Sequence, residues 1–288
     1  MKQILVTGAT GELGTTVIET LLKTMKAENI SVLTRKEESK TEFEQKGLKA
    51  FIGQYRDVES LEKAMGNVDT VLLISSGDQG DRMQEHKNVI NTAKKKGVKN
   101  IAYTSRSLKD KNTLANKLMT EHFLTEDYIK ESGLKYVIFR NALYMDVLPL
   151  FVGKNVFEKG ILQPAGNGKV AYVLKAEQAE AIANVLMNEN FENQTFNFTG
   201  SDAYSFYDVA TALTELTGKQ VNYKSIEVEP FKKIMLNNGV PELMVKKVVG
   251  FNLDIKNGQE STVTNELQHY LGRKPKDLKE GLKLLFNL

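Results

Sequence analysis

Near the start of the chain three glycines stand three residues apart, in Ile4-Leu5-Val6-Thr7-Gly8-Ala9-Thr10-Gly11-Glu12-Leu13-Gly14. A β-branched apolar run leads into them and a helical period leads out. In that setting Gly8 makes a tight turn, Gly11 lets main chain approach a pyrophosphate with no Cβ in the way, and Gly14 lets the helix lie close on the strand. The helix N-terminus then presents unpaired N–H groups and a partial positive charge to phosphate. The segment reads as a dinucleotide cradle, the other reading being a glycine turn that serves packing alone. A second strand, Ile30-Ser31-Val32-Leu33-Thr34, ends in Arg35-Lys36. An acidic residue there would accept hydrogen bonds from ribose hydroxyls, whereas a guanidinium can pair with a 2′-phosphate. The chain has only six arginines, so one at this strand end points to NADPH, with NADH as a weaker ligand. Lys36 and Lys40 are either second partners of the phosphate or plain surface lysines.

Ile74-Ser75-Ser76-Gly77 puts small hydroxyls and a glycine at another strand end, where a ligand can come close, or forms an ordinary turn. His122 is a candidate proton donor, because an imidazole changes charge near neutral pH; a structural histidine on an amphipathic helix is the alternative. His86 and His269 have no partner at metal-ligand spacing, and cysteine is absent, so no metal site is expected. A Tyr-x-x-x-Lys pair would serve carbonyl–alcohol interconversion. Tyr103, Tyr128, Tyr136 and Tyr144 are followed four residues on by Ser107, Ser132, Arg140 and Leu148, so that machinery is expected to be missing. Hydride addition that leaves a delocalised product tolerates the gap, since such a product takes its proton from solvent. Such a reaction needs chiefly a stacked acceptor in a dry site, for which Tyr144, Phe151 and Phe157 are candidate walls, Phe151 and Phe157 reading more readily as core.

The elements that must position these residues alternate in the first half. Strands are expected at Gln3–Thr7, Ile30–Thr34, Lys49–Gly53, Thr70–Ile74, Lys99–Thr104 and Lys135–Phe139, with helices at Gly11–Met25, Val58–Met65, Asp81–Lys96 and Leu114–Ser132. Gly66, Gly97 and Gly133 follow helix ends. The pattern predicts an α/β fold, a Rossmann-like doubly wound parallel sheet over residues 1–145 that binds its ligand beyond the carboxyl ends of the strands. A smaller C-terminal α+β substrate-side unit, intertwined with the first, is expected over 146–288. It holds helices at Ala176–Asn188, Ser205–Thr217 and Pro230–Asn238 and a strand at Thr195–Phe198.

Length and charge exclude several classes. A chain of 288 residues with 41% apolar and 26% charged side chains is neither disordered nor fibrous. Thirty-nine basic against 36 acidic residues leave +3, too balanced for nucleic acid or an anionic membrane surface. No apolar run approaches the about 20 residues of a membrane span. No secretory signal is evident, and a cysteine-free chain suits a reducing cytoplasm. The expected partner is one small molecule, on a monomer or homodimer.

The T-G-x-x-G-x-x-G spacing resembles the short-chain dehydrogenase/reductase superfamily, in particular its atypical NmrA-like branch. Thr7 to Gly11 with Leu13-Gly14, Leu72 to Ser76, Asn88-Val89-Ile90-Asn91, Ile101 to Ser105, Glu121-His122 and Arg140-Asn141 with Tyr144 are similar to the bacterial NAD(P)H:quinone oxidoreductases of the second type and the triphenylmethane reductases. The resemblance implies a FAD-independent reductase that carries hydride from NADPH to quinones or other conjugated, dye-like acceptors. It places Gly8, Ala9, Thr10, Gly11, Glu12, Leu13 and Arg35 on the cofactor, and Ser75, Ser76 and Gly77 beside its ribose and phosphates. Arg140, Asn141, Ala142, Leu143, Tyr144 and Met145 fall along the nicotinamide side, and Lys175 where relatives carry a basic residue. His122 falls near the catalytic lysine of isoflavone-reductase-like relatives. Gln54 departs from an acidic group near the adenine and Arg106 from an apolar residue. The alternative is a non-catalytic NADP(H)-binding redox sensor of the NmrA type. A sugar-nucleotide epimerase, which normally needs the Tyr–Lys pair, is disfavoured.

Overall fold

The computed structural model describes residues 2–77, 80–153, 155–187 and 191–288. The chain divides into two compact units that interleave along the sequence. One comprises Met1–Arg106, Glu121–Arg140 and Ala176–Asn197; the other comprises Ser107–Thr120, Asn141–Lys175 and Phe198–Leu288. The expected border at 145 therefore lies inside a continuous segment of the second unit, because later stretches of chain return to complete the first.

The first unit is built on a seven-stranded sheet of order β3-β2-β1-β4-β5-β6-β7. Its strands are β1 Ile4–Val6, β2 Ile30–Thr34, β3 Lys49–Ile52, β4 Thr70–Leu73, β5 Asn100–Arg106, β6 Lys135–Asn141 and β7 Gln194–Phe198. Pairing is parallel between β1 and β2, β2 and β3, β1 and β4, and β4 and β5. Strand order reverses at β1, which pairs with both β2 (Val6 opposite Val32) and β4 (Val6 opposite Leu72), so the ends of these strands form the switch point of the fold. Helices α1 Glu12–Leu21, α2 Glu37–Gln45, α3 Val58–Ala64, α4 Arg82–Lys95, α5 Thr120–Glu131 and α6 Lys175–Met187 complete the pattern. Leu5, Leu33, Val71, Ile101 and Ile138 from the sheet pack with Leu61, Val89, Ala93 and Ile129 from the helices in a fully apolar layer.

Three elements differ from the expectation. The segment forming α2, EESKTEFEQ, buries only Phe43, so it carries no apolar stripe to read; Lys40 supports it with ion pairs to Glu37 (3.0 Å) and Glu44 (3.9 Å). Helix α5 starts at Thr120 rather than Leu114. The N–H groups of Ala115 and Asn116 are instead bonded to the two carboxylate oxygens of Asp254 (2.6 and 3.0 Å), which holds that stretch in the second unit. After α3 the left-handed residue is Asn67 (φ 60°) and not Gly66.

The second unit has its own core, in which Leu143, Met145, Val170, Tyr172, Phe206, Leu213 and Leu282 meet. Helices α7 Phe206–Thr217, α8 Val228–Asn237 and α9 Glu242–Lys256 belong to it, α7 opening on a Ser205/Asp208 capping box. Among the described residues no helix is long and apolar enough to cross a membrane.

Candidate functional site

The glycine turn leaves β1 at the switch point. Gly8 takes φ 62°, Gly8, Thr10, Gly11 and Glu12 are exposed, and Ala9 and Leu13 are buried beneath them. A Cβ on Gly14 would collide with the Gly8 carbonyl, so close helix–strand packing needs glycine there. At Gly11 a Cβ would meet only the Gly8 oxygen, at 3.5 Å, so that glycine is not required by packing. Helix α1 starts at Gly11 with no side-chain cap, whereas Asp57 and Asp81 cap α3 and α4 by accepting from Ser60 N–H (3.1 Å) and Gln84 N–H (2.9 Å). The start of α1, like that of α2, thus carries no side-chain cap.

The ends of β1 and β4 are fastened by Thr7, whose hydroxyl donates to Leu72 O (2.9 Å), accepts from Ile74 N–H (3.2 Å) and lies 2.6 Å from Tyr55 Oη. Tyr55 in turn donates to Ile74 O (2.8 Å), and burial pushes its phenol upward. Arg35, at the end of β2, is exposed, as are Lys36 and Gln54. Lys40 is bound to Glu37 and Glu44 of its own helix.

Beyond β4, Ser75 N–H donates to Thr104 Oγ1 (2.9 Å) and Ser76 N–H to His86 Nε2 (3.0 Å), while Arg82 Nε donates to Ser76 O (3.1 Å). The Ser76 Oγ is buried and has no hydrogen-bond partner among the described residues. Gly77 is exposed, with no atom within 4 Å of where a Cβ would stand.

Packing inside this unit gives two of the expected site residues partners within the fold. Arg140 donates from Nε and Nη2 to Glu126 at 2.9 and 2.6 Å, and its guanidinium lies 5.4 Å from the Phe123 ring centroid. Ser105 Oγ also donates to Glu126 (2.6 Å), whose carboxylate is 1% exposed, and the bonds to Glu126 raise the Arg140 pKa. His122 is 5% exposed, with Nδ1 3.0 Å from Tyr103 Oη. Burial, then the Arg82 and Arg106 guanidinium groups, hold its imidazole well below the ordinary value. These surroundings favour the neutral ring, which can offer a hydrogen bond.

In the second unit, Ala142, Leu143 and Met145 point into the core, Met145 sulfur lying against Gly281. Phe151 and Phe157 pack on Phe206 and Phe286 (centroids 6.3 and 6.1 Å), so they edge the core rather than form free walls. Tyr144 is half-buried, with Lys175 Nζ 5.3 Å from its ring centroid, and Lys175 N–H donates to Asp146 (2.8 Å). Asn141 is 1% exposed, and neither polar atom of its amide has a partner among the described residues. A buried, unspent donor and acceptor cost about 1–3 kcal/mol each. The expected absence of a Tyr-x-x-x-Lys spacing needs one amendment: Tyr270 and Lys274 have it. The helix Glu266–Leu271 ends on left-handed Gly272 (φ 68°), however, so the two do not share a helical face.

Sequence reasoning passed over Arg82, His86, Tyr55, Thr104 and Glu126. The i, i+4 spacing of Arg82 and His86 after the Asp81 cap was the available signal, since it puts both on one face of α4.

A family model described as NmrA-like matches residues 1–282. The chain is 32% identical over 286 residues to quinone oxidoreductase 2 of Escherichia coli strain K12, covering 99% of each chain. Among solved structures, it superposes on a Citrobacter sp. triphenylmethane reductase with a TM-score of 0.91 at 33% identity, covering 99% of this chain and 100% of that one. An Escherichia coli NADPH-dependent quinone oxidoreductase solved with NADPH gives a TM-score of 0.90 at 32% identity, with the same coverage. Matched by its family model over almost all of its length, the chain belongs to the NmrA-like family.

Proposed function

We propose that this protein is an NADPH-dependent oxidoreductase that reduces quinones or similarly conjugated, dye-like acceptors. The observation that carries the reading is the uncapped start of α1 behind the exposed Gly8–Glu12 turn, with exposed Arg35 at the same edge of the sheet on the neighbouring parallel strand. Pyrophosphate suits the first and a 2′-phosphate the second. The unpartnered Ser76 Oγ and the open space at Gly77 fit the same cofactor. A bound nicotinamide would supply the hydride.

In this reading the chain's own residues bind and orient. The main chain of Gly8–Leu13 takes the phosphates, Arg35 selects NADPH, and Ser75, Ser76 and Gly77 border the ribose. The second unit, taken by itself, has in the Asn141 amide one donor and one acceptor that suit a carboxamide or a quinone oxygen, and in the Tyr144 ring under Lys175 a flat face. With His122 neutral, the proton that completes the reduced acceptor comes from solvent. The likeness to quinone and triphenylmethane dye reductases supports the acceptor class.

Mixing the protein with NADPH and a panel of simple quinones and triphenylmethane dyes, and following loss of nicotinamide absorbance, tests the reading. Turnover with at least one acceptor is the expected result. Tight NADPH binding without turnover on any of them would replace the enzyme with a redox sensor.

A further inference from the structure

We infer that His86 and Arg82 are positioning residues for the cofactor cradle, gripping both main-chain polar groups of Ser76 and so setting where its unpartnered hydroxyl points. The inference rests on the cofactor reading above and adds two residues to it.

Both side chains come from the first two turns of α4, and both are buried, at 0% and 2% exposure. His86 Nε2 takes the Ser76 N–H at 3.0 Å and Arg82 Nε reaches Ser76 O at 3.1 Å. Because a main-chain amide only donates, Nε2 must be bare, and the ring proton sits on Nδ1. Nδ1 lies 2.9 Å from Thr125 Oγ1, and the Thr125 hydroxyl spends its own proton on Glu121 O at 2.9 Å. The chain of bonds therefore runs one way, from Ser76 N–H through His86 and Thr125 to a carbonyl of α5. Arg82 is anchored to the same helix by Glu121 Oε2, at 3.3 Å from Nη1. The opposite histidine tautomer would aim two hydrogens at each other across the Ser76 bond. Tyr55 and Tyr103 lie edge-on around the ring (centroids 6.5 and 5.3 Å) and shield it from water.

The grip sits where the chain leaves β4 at the switch point, the place in this fold where a displaced loop is felt by a ligand. With Ser75 N–H committed to Thr104 and both main-chain groups of Ser76 committed to α4, Ser76 Oγ is a polar atom of this loop that keeps no partner among the described residues. Packing alone does not call for a buried arginine and a single histidine tautomer on one residue.

Calorimetric titration of the full chain with NADPH, on wild type, His86→Gln and His86→Asn, tests the inference. Glutamine reaches far enough to put an amide oxygen where Nε2 lies; asparagine reaches only the Nδ1 position. His86→Asn is expected to weaken NADPH about tenfold, while His86→Gln stays within about threefold of wild type, although both lower the melting temperature. Equal melting losses with unchanged affinity in both variants would mean a packing role and overturn the inference. Should His86→Asn not fold, the ¹⁵N spectrum of wild type decides: a protonated Nδ1 with bare Nε2 is expected, and an Nε2–H ring overturns the grip. A wild type that binds no NADPH overturns the cofactor reading and this inference together; one that binds while His86→Asn binds as well overturns the inference alone.

Discussion

The two edges of the first unit treat similar residues in opposite ways. At the ends of β1 and β2, polar groups are left unspent: an uncapped helix start, an exposed turn and the exposed guanidinium of Arg35. Along β5 and β6 three polar groups are consumed by partners on α5, Ser105 and Arg140 by Glu126 and Tyr103 by His122, while the Asn141 amide that closes β6 has no partner among the described residues. Each place has an arginine, Arg35 just beyond β2 and Arg140 next to last in β6, yet of these two Arg35 alone is exposed. The difference lies in what faces it. Glu126 on α5 meets Arg140 with two hydrogen bonds, whereas no ion pair of Arg35 occurs among the described residues. A ligand edge is thus recognised less by its residue types than by which of them the fold has left without work.

The largest effect that should separate the edges is on stability. Glu126→Ala leaves Arg140 half-buried without its carboxylate and Ser105 without its acceptor, and should cost about 3 kcal/mol in urea unfolding. A loss under about 1 kcal/mol would show that the β5–β6 edge is not held by this pair. Arg35→Asp should do the reverse, shifting unfolding by no more than about 0.5 kcal/mol while weakening NADPH about a hundredfold and NADH far less. Equal losses for the two cofactors would remove Arg35 from the 2′-phosphate.

A smaller effect comes from acid. Burial, with Arg82 beside it, pushes His86 from 6.5 down to about 3, and His122 is lowered in the same direction. Between those values the unfolded chain binds protons that the folded chain refuses. Stability from the His86 ring is therefore complete above about pH 6.5 and drains away as pH falls towards about 3, by up to ~1.4 kcal/mol per unit, and His122 acts in the same direction. Urea midpoints measured at about pH 7 and about pH 5 should fall accordingly, with a shallower fall in His86→Gln. A flat wild-type profile would mean that the rings are hydrated.

The parts legible in the sequence are those whose cause is local. The run from Ile4 to Gly14 carries strand, turn and helix in eleven consecutive residues, and Arg35 follows the last residue of β2 directly. Helix α2 was illegible because its nine residues bury one side chain, so no periodicity records it. The fate of Arg140 was equally hidden, since its partner lies fourteen residues earlier on another element. His86 looked idle for the same reason: its work is on Ser76 and Thr125, which only the packing of α4 beside β4 and α5 brings to it.

The sequence by itself determined the phosphate cradle and the alternating α/β order, because glycine spacing and hydrophobic period act within a few residues of their cause. Tertiary structure alone decided which polar groups remain free. That depends on side chains far apart in the chain being buried together, where an unpaired charge or donor costs more than any local preference supplies. It gave Arg140 and His122 partners inside the fold, left Arg35 exposed and Ser76 Oγ without a partner among the described residues, and set His86 against Ser76 and Thr125.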